Sequence, residues 1–156
     1  STLMRSSAAS DVYKRQELES RVEIQFESYA KVINIEARSM IDIASKQIIP
    51  AVIKYTKSLA DTVNSVMAAG VDADVQRELL KETSVLLSQT KDALKKLTEV
   101  AAKAAAMEAG EAQARYYYEV VMPAMSSLRT PVDELEMIVD KEMWPMPSYG
   151  DLIFEV

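Results

Sequence analysis

A chain of 156 residues with no histidine and no cysteine leaves a short list of side chains able to do chemistry: carboxylates, lysine, arginine, tyrosine and serine. Nucleophilic catalysis by a serine–histidine or cysteine–histidine pair is excluded, and so is a zinc site built on His or Cys. The absence of Cys also removes any disulfide framework, which fits a cytoplasmic protein. Gly70, Gly110 and Gly150 are isolated from one another and cannot build a phosphate-cradling loop. Among the acids, Glu19, Glu23 and Glu27 repeat at four-residue steps and share one helix face. Oxygen-ligated cations usually take ligands from several elements, so a solvated face explains these three better than a metal site does. The acids of "DELE" (133–136), with Asp140 and Glu142, suit the start of a helix, where negative charge complements the macrodipole. Lys81, Lys91, Lys95, Lys96 and Lys103 alternate with Glu82, Asp92 and Glu99, a mixed exposed face rather than a phosphate track. No catalytic, cofactor-binding or metal-binding residue emerges, and the segment by itself is expected to be inactive.

Two other stretches point to contact rather than chemistry. In "RYYYE" (115–119), consecutive helical residues point about 100° apart. Tyr116, Tyr117 and Tyr118 therefore cannot all face one neighbour, and at least one must meet a second partner or water. Packing between helices is the plainer explanation, and a protein interface is the alternative. The chain then closes on "MWPMPSYGDLIFEV" (143–156), too apolar for an idle tail and too rich in proline to extend a helix. Ordering such a strap costs ~1–2 kcal/mol per residue; burying Trp144, Leu152 and Phe154 can return ~1.5–3 kcal/mol each. It is ordered only against an apolar surface. Trp144, Pro145, Pro147, Tyr149, Leu152 and Phe154 are accordingly candidate interface residues, with the three tyrosines, and Trp144 is expected to anchor the strap to the helices.

These residues must be positioned by helices. Only three Gly and five Pro, against abundant Ala, Leu, Glu, Lys and Met, indicate an all-α fold of about one domain. The net charge of −6 argues against nucleic acid and against an anionic membrane surface. No apolar run reaches the ~18 residues of a transmembrane helix. Residues 1–16 have weak periodicity and read as disordered or adventitious, with a helical extension as the alternative. The start lacks a signal-peptide core and a Met, so the chain reads as a fragment.

From Glu17 a helical stripe runs through Leu18, Val22, Phe26, Tyr29, Ile33, Ala37, Met40 and Ala44, then Ile48, Val52, Tyr55, Leu59, Val63 and Val66. Pro50 predicts a kink or short break. Gly70 suits a left-handed helix stop, and Asp72 a following N-cap. A second stripe runs through Leu79, Leu86, Ala93, Val100 and Met107, with Thr83, Thr90, Leu97 and Ala104 beside it; Gly110 is expected not to end this helix. Two helices of about 50 residues would form an antiparallel hairpin roughly 75 Å long. Around a turn at Gly70, Val63 would pair with Leu79, Ile48 with Leu94, and Phe26 with Tyr116. A third helix is predicted from Thr130 as N-cap and Pro131 at the first position, stopping by Met143. The expected organisation is thus an N-terminal segment (1–16), a helical bundle (17–142) and an extended strap (143–156).

"NIEARSMIDIASKQIIPAV" (34–52) and "PVDELEMIVDKEMWPMPSYGDLIFEV" (131–156) closely resemble the C-terminal region of type III glutamine synthetases, and "ELESRVEIQFESYAKVINIEA" (17–37) fits the same family. The resemblance covers residues 17–156. It implies a parent enzyme that joins glutamate and ammonia with ATP and Mg or Mn, assembled from hexameric rings. The family's nucleotide- and metal-binding residues lie in a catalytic domain upstream of this region, so none is carried onto this chain. What the resemblance implies here is a helical structural or assembly region whose partners are that catalytic domain and neighbouring subunits. A free-standing acidic adaptor or regulatory binding module is the rival class, and a small carboxylate-metal protein a third.

Overall fold

The computed structural model describes residues 2–147, and among them every regular element is helical. Helix α1 (Thr2–Ile43) passes through a π turn (Ala44–Ile48) into α2 (Ile49–Ala68). A tight turn leads to α3 (Asp74–Ala105); α4 (Glu111–Tyr116) passes through a second π turn (Tyr117–Val121) into α5 (Met122–Ile138). The all-helical class is as expected. Residues 2–16 are the first turns of α1, the helical extension that was the alternative to a disordered or adventitious segment. They contain neither Gly nor Pro, so nothing stops a helix nucleated further on from propagating through them.

The two π turns have one cause. Pro50 and Pro123 are each the second residue of the helix that follows. A proline inside a regular helix clashes with the carbonyl four residues back. Here the residue before each proline bonds five residues back instead, Ile49 N–H to Ala44 O and Met122 N–H to Tyr117 O. The widened turn makes room for the ring. The predicted break at Pro50 is therefore a π turn within a continuous rod.

Gly70 ends α2 as predicted, with φ +83°. Its N–H donates to Met67 O (3.0 Å) and that of Val71 to Val66 O (3.3 Å), the paired bonds of a Schellman stop. Three other boundaries correct the sequence reading. The N-cap of α3 is Ala73, not Asp72: Ala73 is 1% exposed, so its burial sets the register and Asp74 opens the first turn. The α3 helix does end before Gly110, whose φ of +148° is open only to glycine without strain. The Gln113 side-chain amide donates to the freed carbonyls of Ala104 (3.0 Å) and Met107 (3.2 Å). Finally, no helix starts at Thr130. Pro131 lies inside α5 and Thr130 Oγ1 donates back to Ser126 O at 3.1 Å. A proline there costs ~3 kcal/mol, but Leu128 and Leu135, 1% and 0% exposed, bury on either side of it, and packing outweighs the local start signal.

The core lies where three rods meet. Ala30, Ile33, Ala37 and Ala44 of the first rod join Leu94, Leu97, Val100 and Ala104 of α3, and Tyr117, Val121, Met125 and Leu128 of the last. Alanines at 30, 37 and 44 recur every seven residues and let the backbones approach. A second cluster joins Ile48, Val52, Leu86, Leu135, Val139 and Trp144. The last rod runs alongside the first: Tyr29 Oη donates to Met122 Sδ (2.9 Å), and further along both rods Arg129 approaches Met40 Sδ at 3.8 Å. Tyr116, which a continuous second helix would have paired with Phe26 across the hairpin, therefore belongs to this third rod.

Candidate functional site

The strap begins with a locked turn. The chain leaves α5 at Val139, which is extended. Asp140 then holds the loop: its carbonyl accepts from the N–H groups of Met143 (2.9 Å) and Trp144 (3.0 Å), and its Oδ1 from that of Glu142 (2.9 Å). This turn delivers the indole of Trp144 into the second cluster, leaving it 8% exposed. The indole Nε1 is buried there without a hydrogen-bond partner among the described residues. Burial and the nearby Asp140 carboxylate together raise the pKa of Tyr55, which packs on the same cluster. Pro145 and Pro147 follow at the surface. Tyr149, Leu152 and Phe154 lie outside the described residues.

The tyrosine triplet divides three ways, as its angular spacing requires. Tyr117 is 1% exposed and belongs to the core; burial raises its pKa, with the Arg38 charge opposing. Tyr116 is half-buried, with Lys103 Nζ 5.8 Å from its ring centroid, a cation–π contact. Tyr118 is 64% exposed. It borders an open cleft with Phe26, Tyr29, Arg115 and Glu119. Burial, then Tyr118 and Glu36, raise the pKa of Tyr29.

The acidic face carries no metal geometry: among the described residues no group of three or more His, Cys, Asp or Glu could hold an ion. Glu19, Glu23 and Glu27 instead edge the part of α1 that lies beyond the core. There the stripe read from Leu18 to Phe26 departs from expectation, since Leu18 and Val22 are 62% and 38% exposed. A continuous period signals a face that something covers, and four glutamates between residues 17 and 27 mark this stretch as different from the Ala-rich core face that follows. No described helix is long and apolar enough to cross a membrane.

Residues 3–67 match the family model described as glutamine synthetase C-terminal domain. A glutamine synthetase of Bacteroides fragilis (strain YCH46) is 30% identical over 149 residues, 92% of this chain and 20% of that protein. The type-3 glutamine synthetase of Dictyostelium discoideum is 32% identical over 151 residues, 93% of this chain and 20% of that protein. A glutamine synthetase of Butyrivibrio fibrisolvens is 28% identical over 147 residues, 93% and 21% of the two chains. The chain thus spans about a fifth of the length of the curated relatives it matches. It is similar to glutamine synthetases, a type-3 enzyme among them, and its first part matches the domain described as their C-terminal one.

Proposed function

We propose that this chain is the structural and assembly region of an ATP-dependent glutamate–ammonia ligase and supplies no catalytic residue itself. The observation that carries the reading is the match along 92–93% of the chain to about one fifth of several glutamine synthetases. The residue inventory supports it, since the chain has neither a phosphate loop nor a carboxylate cluster able to hold a metal among the described residues. ATP and Mg or Mn then belong to the catalytic domain of the parent enzyme, which is cytoplasmic. The hairpin of α2 and α3 is the antiparallel arm around which the third rod packs.

In this reading the partners are the catalytic domain of the same enzyme and neighbouring subunits. Tyr118 and the strap beyond Trp144 (Pro145, Pro147, Tyr149, Leu152 and Phe154) are the contacts offered to them, and Tyr116 flanks that surface. Deleting residues 144–156 from the full-length enzyme tests this. The expected result is loss of oligomer by analytical ultracentrifugation and a lower melting temperature, with nucleotide affinity retained. An enzyme that assembles normally but no longer binds ATP would place the strap in the active site and end this reading.

A further inference from the structure

Every side chain from residue 7 to residue 25 is exposed, so roughly 28 Å of α1 carries no buried side chain, its last turns bordering the start of α4 across a cleft. A lone helix of this length is marginal in water. Yet Leu18, Val22, Phe26 and Tyr29 extend the same face that Ile33 and Ala37 bury a turn later. The relatives are about five times as long as this chain, so most of such an enzyme lies elsewhere. A surface of that enzyme is available to cover the stripe.

Charge narrows the choice. Leu18, Val22 and Phe26 floor a cleft of about 500 Å³ between α1 and the start of α4, edged by Glu19, Glu23 and Glu27 on one side and Glu111 on the other. Two nearby cations are engaged within their own helices, Arg21 with Glu17 and Arg115 with Glu111, each at 2.8 Å. Glu19, Glu23 and Glu27 make no ion pair among the described residues. A second copy laid on this stripe would set those glutamates against their own counterparts, and like-charge juxtaposition is unfavourable at an interface. A basic-rimmed apolar segment would match both the floor and the rim.

We infer that the Leu18–Val22–Phe26 stripe docks a segment of the same enzyme, outside these 156 residues, whose apolar side chains are bordered by Lys or Arg. The inference rests on the assembly reading and names the partner's chemistry. The test is a full-length enzyme carrying photoreactive p-benzoylphenylalanine at Val22, irradiated and mapped by mass spectrometry. The expected product joins position 22 to a peptide outside this region with a Lys or Arg within about one helical turn of the link. A link to residues 18–29 of a second copy, a link to a segment without basic residues, or no link at all would each overturn it. A charge-reversed pair, Glu19→Lys with Glu23→Lys, should lower the cross-link yield about tenfold, and Glu19→Gln with Glu23→Gln less. Unchanged yield in the reversed pair, with the oligomer intact, also counts against it. The assembly reading fails separately, if removing residues 144–156 leaves oligomer and melting temperature unchanged wherever position 22 cross-links.

Discussion

At the Trp144 end of the bundle the chain covers its own apolar surface; along the first turns of α1 it does not. Both regions continue a helical stripe. The first closes because α5 stops at Ile138 and the Asp140 turn folds an indole back onto Ile48, Val52 and Leu135. The second stays open: the start of α4 lies across a cleft from it, and Leu18 and Val22 remain 62% and 38% exposed. The difference separates a region that covers its own stripe from one whose stripe stays exposed, although periodicity alone draws them alike.

The comparison can be broken most decisively with a matched pair of charges. Leu86→Asp puts a carboxylate into the closed cluster and should abolish the cooperative thermal transition of the isolated chain, followed by circular dichroism. Leu18→Asp should shift stability by no more than about 0.5 kcal/mol, as should Lys95→Asp on the exposed face. Equal effects at 86 and 18 would mean the overhang is not open. Next in size, Trp144→Ala should cost about 3–5 kcal/mol in urea unfolding, the range for deleting a large buried aromatic. A loss below 1 kcal/mol would mean that the closed end does not depend on its plug.

A finer contrast lies inside the closed region. Thr83 and Thr90 are both 0% exposed, one turn pair apart on α3. Thr90 Oγ1 donates to Leu86 O at 2.8 Å, whereas Thr83 Oγ1 has no partner among the described residues. Thr83→Val should therefore stabilise by about 1 kcal/mol and Thr90→Val destabilise by a similar amount. The smallest effect is in alkali. Burial raises the pKa values of Tyr55 and Tyr117 above their ordinary 10.0. The folded state prefers the neutral phenols, so their stabilising contribution is full below pH ~10 and is lost as pH rises through the raised values. Spectrophotometric titration should show three phenols ionising late, those of Tyr29, Tyr55 and Tyr117.

The helical class and the α3 stripe were legible because period and burial agree: Thr83, Leu86, Thr90, Leu94, Leu97, Val100 and Ala104 are all buried. Gly70 was legible because a left-handed stop needs glycine. Local signals failed where packing overruled them. Thr130-Pro131 followed by acids reads as a helix start, but Leu128 and Leu135 needed one unbroken rod to bury against α3. Gly110 failed in the other direction, since an Ala-rich run hides a stop that only its positive φ reveals. For the candidate site, Trp144 was readable from the cost of leaving an indole exposed. The division of the tyrosines followed from geometry, but which of them faces water depended on where the last rod sits. That the stripe stays exposed at Val22 depends on where α4 sits, which no residue on α1 encodes.

The π turn before Pro50 has a bearing on how this rod tolerates change in length. From Met40 through Ala44 and Ile48 to Val52 the inward positions take three four-residue steps, where three regular turns would use about 10.8 residues. One residue is surplus to the winding, held in the widened turn. Removing Gln47 together with Pro50→Ala would let the rod close into a regular helix with Ala37 and Leu59 still pointing inward. Removing Lys91 from the evenly wound α3 would instead swing everything beyond it by about 100° and carry Leu97 and Ala104 out of the core. The two proline sites are thus natural points at which insertions and deletions can enter this bundle without unpicking it.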